Sequence, residues 1–185
     1  MNTNPAHKTK LATFGGGCFW CTEAIFQEVQ GVHTVTSGYS GGNTDDCPSY
    51  HAVCSGMTGH AEVIQVEYDP EVIHFEELLV IFMTTHNPTL LNRQGADRGT
   101  QYRSIIFYET VKEKAIVDLV IKELQPFFDK PIVTEVKRFE RFFKADERHQ
   151  KYYQLNKQFG YCTAVIEPKL AKFRKQYAEK LRPAS

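Results

Sequence analysis

The chain has no excess of charge of either sign, because lysine plus arginine and aspartate plus glutamate number 22 each among its 185 residues. A balanced chain lacks the basic surface that binds nucleic acid or an anionic membrane, and we expect neither partner. Long apolar runs are absent as well, and none approaches the roughly 20 residues that cross a bilayer. The polar stretch Met1–Lys10 has no apolar segment typical of a secretory signal, so we expect a cytoplasmic protein.

Cysteine is scarce and odd in number, with five residues at positions 18, 21, 47, 54 and 162. A chain of this length, 42% hydrophobic, can bury a core without disulfide bonds, so these residues are expected to be thiols with chemistry of their own. We expect one catalytic domain over residues 1–185, acting as a monomer. Its core is expected over about residues 8–166, followed by a basic, solvated tail over about 167–185.

Three glycines, Gly15–Gly17, separate a short apolar run at residues 11–14 from a helical pattern over residues 19–29. Glycine allows a tight turn, which puts Cys18 at the N-terminus of the predicted helix. A helix N-terminus carries partial positive charge and free N–H groups, and both favour a thiolate over a thiol. Cys18 is therefore predicted to be an activated nucleophile.

Phe19, Trp20 and Cys21 follow directly, and Trp20 is the only tryptophan of the chain. Two large aromatic rings beside a glycine turn suit an apolar pocket for a methyl or thioether group, or they pack inward as helix core. The spacing of Cys18 and Cys21 is by itself compatible with a redox pair, a structural pair or a metal site.

The rest of the chain alternates strand and helix patterns, with two long polar loops at residues 40–59 and 87–101. Strands are predicted over residues 33–39, 60–68, 102–108 and 132–139, and helices over residues 75–86, 111–124 and 146–159. This order predicts an α+β fold: a ferredoxin-like two-layer α/β sandwich whose mixed or antiparallel sheet is covered by helices.

Glu62 lies within one of these strands, where alternation puts it on the same face as Ile64, Val66 and Tyr68. Desolvation among apolar neighbours would favour the neutral carboxyl, which suits a proton donor at neutral pH. At a strand end in solvent, Glu62 would instead be an ordinary surface residue.

Four motifs occur in order along the chain. They are Gly17-Cys18-Phe19-Trp20, Thr58-Gly59-His60-Ala61-Glu62-Val63, Asp97-Arg98-Gly99-Thr100-Gln101-Tyr102-Arg103-Ser104 and Gly160-Tyr161-Cys162. Together they closely resemble the peptide methionine sulfoxide reductase A family, over about residues 11–173. The resemblance implies an α+β sandwich that reduces methionine-S-sulfoxide, free or in proteins, with thioredoxin as the reductant and no cofactor.

The resemblance also implies the roles of the site residues. Cys18 resembles the nucleophile and Glu62 the acid, while Tyr50 and Tyr102 resemble two tyrosines that donate hydrogen bonds to the sulfoxide oxygen. Asp97 resembles a loop carboxylate near the substrate. A thiolate that attacks sulfur pushes electrons onto oxygen, which leaves only when protonated, so a nucleophile, an acid and hydrogen-bond donors are needed together.

Further residues are expected to support this site. Phe19 and Trp20 should form its apolar wall, and Gln101 and Arg103 should support Asp97 and the loop backbone. No metal ligand is predicted.

Attack would leave a sulfenic acid on Cys18, which condenses with a second thiol. Cys162 matches the family's resolving position, whereas Cys21 is only three residues from the nucleophile. In a regular helix that spacing is near the upper limit for a disulfide, and Cys162 lies in a Gly-containing segment that can move. We expect Cys162 to react first and Cys21 to follow by exchange or to act as a backup. Cys47 and Cys54 are expected to be bystanders.

Two other classes of function are compatible with the residues alone. A thioredoxin-like dithiol oxidoreductase would use Cys18 and Cys21, but it would give Glu62 and the loop of Asp97 no role. A zinc-binding protein or scaffold would combine the first four cysteines, although the proline and glycines of the loop at 40–59 are poor evidence for a closed tetrahedral site.

Overall fold

The computed structural model describes residues 8–43 and 47–183, so most of the polar N-terminal stretch and part of the loop at 40–59 lie outside it. The strands are β1 (Lys10–Gly15), β2 (Val32–Ser40), β3 (Ala61–Tyr68), β4 (Arg93–Gln94), β5 (Asp97–Arg98), β6 (Ile105–Tyr108), β7 (Glu135–Arg138) and β8 (Phe143–Lys144). The helices are α1 (Phe19–Phe26), α2 (Tyr50–Cys54), α3 (Phe75–Thr85), α4 (Val111–Leu124), α5 (Tyr152–Leu155) and α6 (Glu167–Gln176).

Six of these strands form one sheet in the order β7-β6-β1-β3-β2-β8. Neighbouring strands are antiparallel except β6 and β7, which run parallel, so the sheet is mixed. Helices α1 and α4 pack against it, and the predicted α+β fold is confirmed. Strands β4 and β5 pair as a separate hairpin inside the loop predicted at 87–101.

The core holds α1 and α3 against the central strands. Phe14 of β1 packs on Phe26 of α1 with ring centroids 5.0 Å apart, and on Phe82 of α3 at 4.7 Å. All three rings are fully buried, and burial of one such side chain stabilises the fold by roughly 1.5–3 kcal/mol. The end of β1 and the start of α1, which flank the glycine turn, are therefore held in fixed relation.

The prediction of one helix over residues 146–159 is wrong. A 3₁₀ turn (Glu147–His149) and the short α5 occupy this stretch, and Lys151 between them is left-handed with φ 51°. The backbone N–H groups of Lys151 and Tyr152 donate to the carboxylate of Glu23, on α1, rather than to helical carbonyls. A contact distant in sequence has overridden the local helical pattern.

The expectation that the core ends near residue 166 and that a solvated tail follows was wrong. A π-helical turn (Cys162–Ile166) leads into α6, and Leu170 and Phe173 of α6 are buried. These two residues are three apart on one helix face, which packs against α1. In the described ranges, no helix is both long and apolar enough to cross a membrane.

Candidate active site

The glycine turn brings three parts of the chain together. A Cβ added at Gly15 would clash with the carbonyl oxygen of Glu62, and one at Gly16 would lie 2.7 Å from the ring of His86. Gly17 has φ 89°, and its N–H donates to the carbonyl of Tyr102 at 3.2 Å. Larger residues would force these segments apart, so the glycines fix the start of α1 beside β3 and the loop of Tyr102.

Glu62 is buried beside this helix start, with 1% of its surface exposed. Its Oε2 accepts a hydrogen bond from the backbone N–H of Phe19 at 3.0 Å. Burial raises the pKa of Glu62 to about 8; the Phe19 hydrogen bond opposes this shift, and the charge of Asp97 adds to it. The carboxyl is therefore mostly protonated at neutral pH. Its burial agrees with the place among core residues that the strand alternation predicts, and the alternative of a solvent-exposed strand end is wrong.

Cys18 is the N-cap of α1, but the expected activation of its thiol by the helix N-terminus is wrong for the free protein. Burial, a hydrogen bond with Cys21 and the nearby Glu62 raise the pKa of Cys18 well above its usual range, and the hydrogen bond from the Trp20 backbone opposes them only in part. The hydrogen bond from Cys18 lowers the pKa of Cys21 to about 7 in spite of burial. The directions of the two shifts favour the thiol form of Cys18 and the thiolate form of Cys21.

An aromatic cluster adjoins these thiols. The ring of Trp20 stacks on that of Tyr152 at 3.7 Å with 5° between the planes, and its Nε1–H donates to Nδ1 of His149 at 3.2 Å. The ring of Tyr50 lies 4.5 Å from that of His149. Phe19 is fully buried, so it packs inward as helix core, while Trp20 keeps part of its surface exposed.

Tyr50 and Tyr102 lie near Glu62, as the expected roles require. Burial raises the pKa of both hydroxyls, and the charge of Glu62 is the next cause for each. Both tyrosines therefore keep their O–H groups over the whole neutral range and can serve as hydrogen-bond donors.

Asp97 lies in the β4–β5 hairpin, where its Oδ2 accepts a hydrogen bond from the hydroxyl of Tyr161 at 2.9 Å. The same hydroxyl lies 3.7 Å from Sγ of Cys21. Arg103 and Gln101 support the loop backbone as expected, since they donate to carbonyls of Thr100, Gly59 and Cys54. The expected support of Asp97 comes from Tyr161 instead.

Cys162 is fully buried at the start of the π-helical turn that leads into α6. The expectation of a loose segment after the last helix is therefore wrong, because the buried side chains of α6 anchor it. Burial raises the pKa of Cys162, and the charge of Cys21 adds to that shift. All five cysteines are free thiols in this structure.

A zinc site built from the first four cysteines is not supported. Cys18 and Cys21 are buried, whereas Cys47 is exposed at the surface. Among residues 8–43 and 47–183, no three His, Cys, Asp or Glu side chains lie close enough to hold a metal ion.

Four side chains of this site had no role in the sequence interpretation: Glu23, His149, Tyr152 and Tyr161. Glu23 carried a detectable signal, since it is a carboxyl inside the apolar run of α1. His149 and Tyr152 were hidden by the helix predicted over their segment. Because Nδ1 of His149 accepts from Trp20, its Nε2 carries the proton, and that buried N–H has no partner in the described part of the chain.

Comparison with known proteins identifies this arrangement. A family model described as peptide methionine sulfoxide reductase matches residues 10–181. A curated relative from Haloquadratum walsbyi, named peptide methionine sulfoxide reductase MsrA, is 52% identical over 173 residues, which cover 94% of this chain and 99% of that one. The chain belongs to the peptide methionine sulfoxide reductase family.

Solved structures agree with this reductase family. The reduced form of Mxr1 from Saccharomyces cerevisiae is 36% identical, with a TM-score of 0.79 over 87% of this chain and 92% of that one. Mxr1 in complex with Trx2 is 27% identical in its matched part, with a TM-score of 0.57 over 82% of this chain and 89% of that one. The thioredoxin-like alternative for Cys18 and Cys21 is therefore wrong, and the chain is an oxidoreductase of the MsrA type.

Proposed function

We propose that the chain reduces methionine-S-sulfoxide, free and in proteins, with Cys18 as the nucleophile and Glu62 as the acid. The observation that carries this proposal is the buried carboxyl of Glu62, which the backbone N–H of the residue after Cys18 holds and whose pKa burial raises to about 8. A sulfoxide oxygen is a poor leaving group until it is protonated, and this carboxyl supplies the proton where the nucleophile is.

In the first step the sulfur of Cys18 attacks the sulfoxide sulfur, and the proton of Cys18 passes to Cys21, its hydrogen-bond partner. Glu62 gives its proton to the sulfoxide oxygen as the sulfur–oxygen bond breaks. The resulting hydroxide adds to the Cys18 sulfur, the transient bond between the two sulfurs breaks, and the thioether leaves with that electron pair. The net change is transfer of one oxygen atom, so that Cys18 is oxidised by two electrons to a sulfenic acid and the sulfoxide is reduced to the thioether.

Tyr50 and Tyr102 donate hydrogen bonds to the oxygen while negative charge develops on it. Their raised pKa values keep the hydroxyls protonated, and the effect of the Glu62 charge on both supports a common site for the donors and the acid. Asp97 approaches the same region from the β4–β5 hairpin, where Tyr161 holds it.

Selectivity for a single epimer, which the family resemblance makes the S epimer, is supported by the fixed positions of the wall and the acid. The exposed part of Trp20, stacked on Tyr152, offers an apolar face to the methyl group. With the methyl against Trp20 and the sulfur facing Cys18, only one configuration at sulfur turns the oxygen towards Glu62.

The sulfenic acid then condenses with a thiol and releases water. Cys21 is the first partner in this proposal, which reverses the order expected from the sequence. Cys18 is an N-cap with extended φ and ψ, not a residue of a regular helix, and its carbonyl accepts the N–H of Cys21 at 3.1 Å. The two thiols also influence each other's pKa values. Cys162 then attacks the Cys21 sulfur, so the disulfide moves to Cys21–Cys162 and Cys18 is freed.

Thioredoxin completes the cycle by reducing this disulfide with its own dithiol. The complex of the related Mxr1 with Trx2 supports a thioredoxin as the partner. No bound cofactor is needed, because the oxidising equivalent is stored in the protein's own thiols.

The test is an assay of separate methionine-S-sulfoxide and methionine-R-sulfoxide with dithiothreitol as reductant. We expect turnover of the S epimer alone and none by Cys18→Ser, because an alcohol of far higher pKa does not attack sulfur at neutral pH. Substantial activity of Cys18→Ser, or equal rates with both epimers, would overturn the proposal. Cys47→Ser, changed at an exposed thiol, is the matched control and should keep full activity.

A further inference from the structure

Residues 149–152, named here the 149–152 segment, form one side of the aromatic cluster. His149 accepts the Nε1–H of Trp20, and the ring of Tyr152 covers one face of the Trp20 ring at 3.7 Å. The same segment presents the unpartnered Nε2–H of His149, so its position sets both the shape of the apolar wall and the direction of a polar group.

The two central residues of the segment, Gln150 and Lys151, lie between the 3₁₀ turn that ends at His149 and α5, which begins at Tyr152, and belong to neither. Lys151 is left-handed at φ 51°, a conformation that non-glycine residues adopt at a cost and only when their surroundings impose it. One restraint comes from Gln150, whose Oε1 accepts the N–H of Ser37 and whose Nε2 donates to the carbonyl of Ser37, each at 2.9 Å. This contact fixes the segment to β2 but leaves the two following amides to be bound.

Glu23 binds both of those amides. Its Oε1 accepts the N–H of Lys151 at 2.7 Å and its Oε2 accepts the N–H of Tyr152 at 3.1 Å, so each carboxylate oxygen holds one of two consecutive residues. Glu23 lies on α1 and is 1% exposed. Its two hydrogen bonds span 128 and 129 residues of sequence, which ties the aromatic segment directly to the helix that begins at Cys18.

A carboxyl at this place is costly. Burial raises the pKa of Glu23 to about 7, although the two backbone hydrogen bonds, a smaller effect of Ser37 and the charge of Lys151 oppose that shift. An apolar residue of similar volume would fill the space without this desolvation cost. What an apolar residue could not do is bind two neighbouring N–H groups at once.

We propose that Glu23 is a positioning residue of the reductase, which holds the 149–152 segment so that Tyr152 and His149 enclose Trp20 in the geometry that receives the substrate. This inference rests on the proposed role of Trp20 as the wall of the substrate site. Cys18 and Glu62 have separate supports, through Gly17 and Phe19, so loss of Glu23 should weaken substrate binding more than the chemical step.

The test uses Glu23→Gln, which keeps the shape but turns an NH₂ group towards one of the two amides. We expect the KM for methionine-S-sulfoxide to rise about tenfold, the usual scale for loss of a charge-assisted hydrogen bond, and kcat to stay within about twofold. Trp20 is the only tryptophan, so its emission should shift to longer wavelength in the substrate-free variant as Tyr152 leaves its face. Glu28→Gln is the control: it loses a partly exposed ion pair with Arg174 near the same helix, and it should change neither the KM nor the Trp20 emission wavelength.

A second pair of variants distinguishes positioning from a general loss of stability. Tyr152→Leu removes the ring through which Glu23 is proposed to act, so Glu23→Gln should raise the KM much less in that background than in the wild type. An equal rise in both backgrounds would overturn the proposal, as would wild-type KM and Trp20 emission in a folded Glu23→Gln protein. If Glu23→Gln does not fold, Glu23→Asp carries the test: a wild-type KM there would contradict the proposal.

The emission reading needs no turnover, so it stays informative even if the proposed catalytic role of Cys18 fails. Activity in Cys18→Ser would remove the proposed mechanism without touching the contact of Glu23 with the segment. Conversely, an unchanged Trp20 emission wavelength in Glu23→Gln would refute the positioning role of Glu23 and would leave the proposed catalytic mechanism unaffected.

Discussion

The backbone N–H of Phe19 donates a hydrogen bond to the carboxyl of Glu62 at 3.0 Å, which joins the first residue of α1 to the start of β3. Phe19 is the neighbour of Cys18, so this bond fixes the distance between nucleophile and acid through the backbone. Because the bond uses Oε2 of Glu62, the other carboxyl oxygen is left to carry and transfer the proton.

Glu62→Gln should slow the reduction step by about a hundredfold, because it keeps the acceptor for Phe19 but removes the acidic proton. The measurement is methionine released in a single turnover, followed by rapid quenching. Glu67→Gln is the matched control on the same strand, since Glu67 binds Thr9 and Thr34 instead of the site, and its rate should be unchanged. An undiminished rate in Glu62→Gln would mean that another group protonates the oxygen.

The single-turnover rate should depend on pH as a bell. It should fall above about pH 8, where Glu62 loses its proton, and below about pH 7, where Cys21 gains one and no longer accepts the proton of Cys18. Because the titrating groups are coupled, each limb of the profile is assigned to a residue only through the variant that removes that residue's ionisable group. Glu62→Gln should lose the alkaline limb, and Cys21→Ser should move the acidic limb to higher pH, because Cys18 then has to lose its proton without this acceptor. A limb that is unchanged in its own variant would contradict the assignment.

The sequence predicted those features that local pattern determines. Helix α4 has the predicted bounds because Thr110 caps its first turn and an apolar stripe runs along it. The burial of Glu62 followed from its alternation with Ile64 and Val66, and the glycine turn followed from residue type alone.

The rest depends on contacts between distant residues. Nothing near Lys151 in sequence shows that a carboxylate 128 residues earlier will bind its N–H and end the expected helix. The high pKa of Cys18 is likewise a tertiary effect, because burial outweighs the favourable helix N-terminus that sequence reasoning identified. The buried face of α6 was missed because its charged residues dominate the composition of that segment.

The order of disulfide formation is tested by peptide mapping after one equivalent of methionine-S-sulfoxide. We expect a Cys18–Cys21 linkage first and a Cys21–Cys162 linkage later, because the N–H of Cys21 binds the carbonyl of Cys18 and the extended backbone of Cys18 releases the pair from regular helix geometry. Cys162→Ser should release one equivalent of methionine normally but cycle slowly with thioredoxin. An early Cys18–Cys162 linkage in the wild type, with Cys21 still a thiol, would restore the order expected from the sequence.

Glu62 should also make the fold less stable as pH rises, and Glu62→Gln should remove that dependence. The pKa of Glu62 is raised in the folded protein from an ordinary value of 4.5 to about 8, so the folded state binds more protons than the unfolded state in this range. Its contribution is fully present below about pH 4 and is lost as pH rises through 8, a change of up to about 5 kcal/mol in the free energy of unfolding.

Urea unfolding should therefore give similar free energies of unfolding for the wild type and Glu62→Gln at pH 5, and a more stable Glu62→Gln at pH 9. Glu67→Gln should not share this gain, since the hydrogen bonds of Thr9 and Thr34 lower the pKa of Glu67. Equal stability of the wild type and Glu62→Gln at pH 9 would show that the carboxyl is not protonated by burial, and the proton donor would have to be sought elsewhere.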